Sequence, residues 1–275
     1  MFISNDDYTD LTSFIYKKSG IKFEDKKRYF INKRVEKRLS EMNIDNVRDY
    51  LRFLKFKDDG TEFQSLMNLL TVNETYFFRE FGTLETFAEH CLREITEKKA
   101  AQNDFNIRIW SAGCSTGEEP YTLAIIVREM LDDLHKWNVS ILASDIDENV
   151  LEKAVEAKYD DRSLKDVPDE YFKKYFTTSG GQHTPNSDVR KMVTFEHLNL
   201  MDRVQMRKKR GFDFIFCRNV LIYFDEISRK QVVDHYYISM NRGGYIFLGH
   251  SESVGRITTA FSMKRMGSSV VYYKG

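Results

Sequence analysis

The stretch IRIWSAGCSTGEEPY, residues 107–121, decides the fold that we predict for this chain. It is an apolar run followed by a turn with glycines at positions 113 and 117 and by a helical pattern that begins at Glu118. A strand that leads through a glycine turn into a helix forms a ligand-binding corner, because glycine lets a ligand approach the backbone and the first helical amides point outward. The segment therefore predicts an α/β domain with a ligand at this turn.

The spacing and charge of this turn narrow the class of ligand. Gly113 and Gly117 are four positions apart, so the dinucleotide fingerprint Gly-x-Gly-x-x-Gly is absent, and no lysine follows the second glycine as in a P-loop. Glu118 and Glu119 at the start of the helix would repel a pyrophosphate but favour a positively charged ligand. The turn therefore indicates a cationic nucleoside.

Outside this stretch, strands and helices continue to alternate. Further apolar runs are VSILASD (139–145), FDFIFC (212–217), GGYIFLGH (243–250) and SSVVYYKG (268–275), with helical patterns over 148–158 and 226–240. Alternation of this kind predicts a doubly wound parallel sheet that is buried on both faces. The rhythm breaks over about 159–199, where a turn-rich segment precedes the strand-like run MVTFEHL, and we predict a small inserted β-subdomain there.

The first part of the chain shows only helical periodicity. Ile31, Val35 and Leu39 fall on one stripe at a spacing of four. We predict an all-helical N-terminal domain over residues 1–75 and place the α/β domain, with its linker and insertion, over 76–275.

Composition excludes several classes of protein. The chain has 275 residues, of which 41% are hydrophobic and 31% charged, so a folded protein with a large core is expected. No apolar run approaches the roughly 20 residues that cross a bilayer, and the N-terminal decapeptide carries acidic residues where a secretory signal is basic. We expect a cytoplasmic protein without direct membrane insertion. Three widely spaced cysteines argue against disulfides and against a thiolate metal site.

A carboxylate follows the second predicted strand. Asp145 ends the run VSILASD and would lie at the carboxyl edge of the sheet, beside the glycine turn. A carboxylate in that place accepts hydrogen bonds from ribose hydroxyls in doubly wound folds. Helix capping is the alternative role for an aspartate there, but the glycine turn upstream favours ribose binding.

The chain resembles the chemotaxis receptor methyltransferase family that is commonly called CheR. The resemblance covers nearly the whole length and rests on five ordered motifs: NETYFFR (73–79), SAGCSTGEEPY (111–121), the strand that ends at Asp145, CRNVLIYF (217–224) and GHSES (249–253). It implies a helical N-terminal domain joined to a doubly wound methyltransferase domain that carries a β-subdomain, and S-adenosyl-L-methionine as the methyl donor, with S-adenosyl-L-homocysteine as product and no metal.

The resemblance also implies roles for individual residues. Arg79 and Tyr223 would position the substrate, and a larger set would hold the cofactor: Asn73, Thr75, Arg79, Gly113, Glu118, Asp145, Asn199, Leu200, Arg218 and Asn219. Alternatives stay open at this stage. Asn73 and Thr75 fit helix caps, Arg79 a surface charge, Asn199 a turn and Tyr223 a core aromatic.

By the same resemblance, the substrates are glutamate carboxylates on the cytoplasmic helices of methyl-accepting chemotaxis receptors, which become methyl esters during adaptation. Residues 17–38 contain ten Lys or Arg against three Asp or Glu, a local excess of +7. Within this stretch we predict a docking face for those acidic helices at Lys33, Arg34, Lys37 and Arg38, with an ordinary solvated face as the alternative.

Two other functions compete with receptor methylation. A nucleic-acid methyltransferase would share fold and cofactor, but no two of the three prolines are adjacent, and neither Cys114 nor Cys217 follows a proline, so the motifs of the amino- and C5-directed enzymes are absent. We therefore expect no nucleic-acid partner. A non-catalytic adaptor that binds S-adenosylmethionine is the second alternative, and the presence of Arg79 and Tyr223 disfavours it.

Overall fold

The computed structural model describes residues 3–255, 257–267 and 269–275, so Ser268, which begins the predicted last strand, lies outside the described residues. Its N-terminal part is helical: α1 (Asn5–Ser19), α2 (Arg28–Met42), α3 (Val47–Phe56) and α4 (Thr61–Leu70). The predicted stripe Ile31, Val35 and Leu39 is buried in the centre of this part, where α2 packs against α3 and α4. The all-helical N-terminal fold is therefore confirmed.

The α/β part follows in chain order. After α5 (Phe81–Thr86), a π-helical turn (Phe87–Leu92) and α6 (Arg93–Ala101) come β1 (Asn106–Ala112), α7 (Glu118–Met130), β2 (Asn138–Asp145) and α8 (Glu148–Glu156). Next are α9 (Asp169–Tyr175), β3 (Phe176–Ser179), β4 (Gln182–Pro185), α10 (Ser187–Arg190), β5 (Val193–His197), α11 (Arg203–Arg207) and β6 (Phe212–Cys217). The chain ends with α12 (Glu226–Ser239), β7 (Met240–Leu248), β8 (Ser262–Met266) and β9 (Ser269–Tyr273).

Among the described residues the main sheet has seven strands in the order β5-β2-β1-β6-β7-β9-β8. The first five are mutually parallel, whereas β9 runs antiparallel to both β7 and β8. The predicted doubly wound sheet is confirmed, but its antiparallel edge was not predicted. Strand β8 carries Lys264 and Arg265 and has no buried residue, so it lacks the apolar run that marks the other strands.

The core lies on both faces of this sheet. Every residue of β6 is buried, as a mostly apolar run predicts for a central parallel strand, and the one charged residue, Asp213, is paired with Lys99 at 2.9 Å. On one face Phe87 contacts Phe214 and Phe216 edge to face, and on the other Trp110 packs against Tyr236. Within the described residues, no helix is long and apolar enough to cross a bilayer.

The insertion differs in extent from the prediction. Strands β3 and β4 form a separate antiparallel hairpin, joined to the body of the domain by backbone hydrogen bonds between Tyr159 and His183. The run MVTFEHL, which we assigned to the insertion, instead supplies β5, the strand beside β2 in the main sheet. Its residues are mostly half exposed, as at a sheet edge, so its pattern resembles that of a small antiparallel strand.

Candidate active site

A cavity of about 290 Å³ lies where the carboxyl ends of β1, β2 and β6 meet the linker and the N-terminal helices. Ligands bind at this edge of doubly wound sheets, where the strand order changes direction. The helical part contributes Ile21, Phe23 and Phe30 to the cavity wall, and the linker contributes residues 71–76. Both parts of the chain are therefore needed to enclose the cavity.

The glycine turn is held against the end of β2. The backbone N–H groups of Gly113 and Cys114 both donate to the carbonyl of Ser144, at 2.8 and 3.0 Å. Gly113 has a φ of 85°, and a Cβ on it would lie 2.3 Å from a methyl carbon of Val220, so only glycine fits here. The turn and the segment after β6 thus approach each other at the floor of the cavity.

Asp145 is the buried carboxylate of this floor. Its two oxygens accept hydrogen bonds from the backbone N–H groups of Ser115, at 2.8 Å, and Asp147, at 3.0 Å. Burial raises the pKa of Asp145 above its ordinary value, while those two N–H groups favour the charged form. Each carboxylate oxygen has a second lone pair, so Asp145 could also accept the hydroxyls of a ribose.

Arg79 enters the cavity from a constrained turn. The residues on either side of it, Phe78 and Glu80, both have a φ of 57°, which is unusual for side chains of this size. The Arg79 guanidinium donates to the carbonyl of Glu74 at 2.6 Å. The carbonyl of Arg79 accepts a hydrogen bond from Arg218, which therefore clamps the turn.

Arg218 is itself buried among carboxylates. Its terminal nitrogens lie 3.1 Å from Glu80 and 3.2 Å from Glu119, and Glu119 also accepts from the hydroxyl of Ser111 at 2.7 Å. Burial raises the pKa of Glu119, and the neighbouring Arg218 opposes that shift. Arg218 and Glu119 therefore form a buried ion pair on the cavity wall, while Glu80, which does not line the cavity, binds the same guanidinium.

Tyr223 lines the cavity and contacts the segment between α1 and α2. The ammonium of Lys27 is 5.3 Å from the centre of its ring, and the backbone of Lys22 donates to its carbonyl. Burial raises the pKa of Tyr223, whereas the charge of Arg79 lowers it. The phenol therefore stays protonated at neutral pH and is available as a hydrogen-bond donor.

Side chains also join the two parts of the chain beside the cavity. Thr71 and Asn73 both donate to one oxygen of Asp147, at 2.5 and 2.9 Å. Asn199 donates to the carbonyl of Lys18 at 2.8 Å. The first two contacts hold the linker against the end of β2, and the third holds α1 against the segment that follows β5.

Two buried polar atoms of cavity-lining residues have no hydrogen-bond partner among the described residues. They are the hydroxyl of Ser115 and the Nε of Arg218. Buried polar groups are rarely left unpaired, so these atoms indicate a polar ligand in the cavity. A buried carboxylate beside a glycine turn and two unpaired polar atoms together fit a polar nucleoside such as S-adenosylmethionine.

Comparison with known families decides the assignment. The family described as CheR methyltransferase, all-alpha domain matches residues 6–71, and CheR methyltransferase, SAM binding domain matches residues 73–270. This chain belongs to the CheR methyltransferase family. It is an S-adenosylmethionine-dependent methyltransferase, as the resemblance in its motifs predicted.

Curated relatives of this CheR methyltransferase align along nearly its whole length. Chemotaxis protein methyltransferase 2 of Vibrio cholerae is 41% identical over 99% of this chain and 94% of its own. The chemotaxis protein methyltransferases of Borreliella burgdorferi and Escherichia coli are 35% and 33% identical, over 92% and 95% of this chain and 89% of their own. These relatives connect the chain with chemotaxis.

The structure brings most of the predicted site residues of this CheR chain together. The following line the cavity: Asn73, Thr75, Arg79, Gly113, Asp145, Asn199, Leu200, Arg218, Asn219 and Tyr223. Glu118 is not on the cavity wall; its carboxylate is buried between the hydroxyls of Thr116 and Ser163. The next residue, Glu119, takes that place, because a step of one residue turns a helix by about 100°.

The predicted docking face on α2 is only partly free. Lys33 and Lys37 are exposed, but Arg34 donates to the carbonyls of Leu69 and Phe30. Arg38 is paired with Glu62, which is 6% exposed, and also with Glu41. Arg34 and Arg38 therefore hold α2 to its own domain, which corrects the prediction that all four residues present free charge.

Proposed function

We propose that this CheR methyltransferase esterifies glutamate side chains on the cytoplasmic helices of chemoreceptors. A substrate carboxylate oxygen bonds to the methyl carbon of S-adenosyl-L-methionine while the carbon–sulfur bond breaks, and that electron pair stays on sulfur. The products are a glutamate methyl ester and S-adenosyl-L-homocysteine. The observation that carries the proposal is that Arg79 and Tyr223, two groups able to hold a carboxylate, line the same cavity as Asp145.

The reaction needs no general base. A glutamate side chain has an ordinary pKa of about 4.3, so the acceptor is already a nucleophilic anion at neutral pH. The protein contributes orientation, which supplies up to about 7–11 kcal/mol, and a cavity that excludes water from the opposite charges as they neutralise each other.

Arg79 and Tyr223 hold the acceptor together in this proposal. A full two-point ion pair with Arg79 would stabilise the unreacted carboxylate and slow transfer. One nitrogen of Arg79 is already bound to the Glu74 carbonyl, which leaves a looser contact that the Tyr223 hydroxyl can share.

Cofactor contacts are assigned by position. Asp145 accepts the ribose hydroxyls, and Glu119 with Arg218 forms the charged wall near the cationic end. Ser115 supplies a hydroxyl that lacks a partner within the protein. The linker residues Asn73 and Thr75 close the cavity from the side of the N-terminal helices.

The experiment measures transfer of radiolabelled methyl groups from S-adenosylmethionine to receptor cytoplasmic fragments, which are then treated with mild base to hydrolyse esters. We expect label that base releases and that disappears when the acceptor glutamates become alanine. Tyr223→Phe should reduce transfer while S-adenosylhomocysteine binding persists, and Tyr237→Phe, outside the cavity, should leave transfer unchanged. Cofactor binding without transfer to any receptor would instead establish an adaptor, and base-stable label on nucleic acid would overturn the proposal.

A further inference from the structure

The segment Asn219–Tyr223, which follows β6, carries three residues that line the cavity, and a carboxylate about thirty residues further along the chain holds it. Asn219 begins the segment with a φ of 60°, and Tyr223 ends it. Left-handed backbone at asparagine is tolerated but needs support from its surroundings. The segment is one short helical turn at Leu221–Tyr223, which is too short to be stable alone.

The carboxylate of Glu252 supplies that support. One of its oxygens accepts the backbone N–H groups of Asn219, at 2.9 Å, and Gly249, at 2.7 Å. The other oxygen accepts the backbone N–H of Ile222, at 3.2 Å, immediately before Tyr223. A single side chain therefore binds both ends of the segment as well as the end of β7.

Gly249 shows that this arrangement is tightly built. A Cβ on Gly249 would lie 2.9 Å from the backbone nitrogen of Asn219 and 2.9 Å from the Glu252 carboxylate. Any larger residue would push the two segments apart. Gly249 and Glu252 are three residues apart in one turn. The missing side chain of Gly249 leaves room for the Glu252 carboxylate to reach the backbone of Asn219.

The far side of the segment is fixed by packing. Val220 occupies the space that glycine leaves at position 113, so the segment rests on the turn at the floor of the cavity. Arg229 donates to the carbonyl of Leu221 at 2.8 Å. Glu252 on one side and the glycine turn on the other therefore hold the backbone that carries the Tyr223 ring.

We propose that Glu252 is a positioning residue for methyl transfer: it holds the Asn219–Tyr223 segment so that the Tyr223 hydroxyl faces the acceptor carboxylate. The inference rests on the proposed function, because it assigns Tyr223 to the acceptor. Glu252 touches neither substrate nor cofactor, since it does not line the cavity. Its effect on the reaction passes through Tyr223.

A double-mutant cycle tests this inference. Tyr223→Phe is measured in the wild-type protein and in Glu252→Gln, which keeps the side-chain volume but replaces one acceptor oxygen by a donor. We expect Glu252→Gln alone to lower kcat/KM for receptor fragments at least tenfold, mostly through kcat. In the Glu252→Gln protein, Tyr223→Phe should lower kcat/KM by less than a third of the factor by which it lowers kcat/KM in the wild type. An equal cost in both backgrounds overturns the proposal, because a purely structural role gives additive effects.

Backbone hydrogen exchange gives a second measurement that needs no substrate. Peptides covering 218–224 should exchange at least tenfold faster in Glu252→Gln than in the wild type, and Glu252→Asp should show an intermediate rate. The matched control is Glu226→Gln, an exposed residue in the first turn of α12, which should leave exchange unchanged. Unchanged exchange in Glu252→Gln overturns the inference, whereas faster exchange in a protein that methylates no receptor would contradict only the proposed function.

Discussion

At the scale of single residues, Asp145 supports the glycine turn and lines the cavity, whereas helix capping, the alternative that sequence left open for it, is performed by Asp147 at the start of α8. It accepts backbone N–H groups of the glycine turn and of Asp147, yet it also lines the cavity. A contact to a backbone N–H group and a contact to a ligand can use different lone pairs of the same carboxylate. The predicted position at the end of β2 follows from the strand pattern, but the double role requires the turn geometry.

Asp145→Asn should therefore weaken cofactor binding. The amide loses the charge and one acceptor oxygen, so the charge-assisted hydrogen bond that we propose from a ribose hydroxyl, worth about 1.5–3 kcal/mol, is lost. We expect a roughly 10- to 100-fold weaker affinity for S-adenosylhomocysteine by calorimetric titration. Asp202→Asn, which alters the cap of α11 away from the cavity, is the matched control and should bind normally. Equal affinity for both variants would show that Asp145 does not contribute to cofactor binding.

Glu118 offers a test based on pH. Burial raises its pKa, although the hydroxyls of Thr116 and Ser163 oppose this shift. Because the folded pKa exceeds the unfolded value of about 4.3, its contribution to stability is complete below that pH and is lost as pH rises through the folded pKa. Between pH 4 and 7, the free energy of unfolding of the wild type should fall relative to Glu118→Gln in denaturant titrations.

The control for this pH test has the opposite sign. At Glu129 burial raises the pKa, but hydrogen bonds from Lys174 and Tyr175 outweigh it, so the net shift is downward. The wild type should therefore gain stability relative to Glu129→Gln as pH rises from the lowered folded pKa to about one unit above 4.3, and the difference should stay level above that. Parallel pH trends for the two variants would show that burial of Glu118 does not control its titration.

At the scale of secondary structure elements, prediction from sequence succeeded where one face or both faces of an element are buried. β6 was predicted with its exact ends, because all six of its residues are apolar or buried. β8 was missed because its charged residues give no apolar pattern. Helix α2 was predicted correctly as a helix, but its charged face was misjudged because Glu62, the partner of Arg38, lies 24 residues away in the chain.

Because Arg34 and Arg38 are bound within their own domain, only the exposed lysines of α2 are expected to affect the rate of receptor methylation. Lys33→Glu with Lys37→Glu reverses two exposed charges, of which Lys37 lies 3.8 Å from the exposed carboxylate of Glu41. We expect kcat/KM for receptor fragments to fall roughly tenfold in low salt and the loss to shrink in about 0.5 M NaCl, where charges are screened within a few ångströms. The free energy of unfolding of the double variant should differ from that of the wild type by less than about 0.5 kcal/mol. A loss of rate that does not depend on salt would argue against docking.

Replacing Arg38, in contrast to the two lysines, should lower the stability of the protein. Arg38→Met leaves Glu62 buried without its cation, although the Tyr50 hydroxyl still donates to it at 2.5 Å. Removing one partner of a buried pair costs about 3 kcal/mol of unfolding free energy, measurable by urea titration. Arg52→Met, whose partner Asp49 is exposed, should cost less than about 0.5 kcal/mol. Similar losses for the two variants would contradict a structural role for Arg38.

At the scale of the whole molecule, the active-site cavity exists only because two parts of the chain meet. Sequence predicted each part separately, since periodicity reports on the burial of a face but not on which surface covers it. Side chains outside the five motifs hold the two parts together. Tyr16 donates to Asp225 at 2.8 Å, and Gln64 donates to the carbonyl of Ile146 at 2.6 Å. Neither residue lines the cavity.

Loosening this contact should therefore weaken cofactor binding without altering any residue of the cavity wall. Tyr16→Phe with Gln64→Leu removes two hydrogen bonds between the parts, worth about 2–3 kcal/mol together. If a closed cavity is required, affinity for S-adenosylhomocysteine falls in proportion to the fraction of molecules that remain closed. Calorimetric titration should show a several-fold loss.

The matched control makes the same chemical changes within single parts of the chain. It combines Tyr8→Phe, at a buried hydroxyl that has no partner among the described residues, with Gln205→Leu, at a side chain bonded within α11. This control should bind the cofactor normally. Equal binding by both double variants would mean that the α/β part holds the cofactor alone, and the N-terminal helices would then act only on the receptor. A selective loss would instead make closure of the two parts a step in binding, because ligand and N-terminal helices then stabilise the same state.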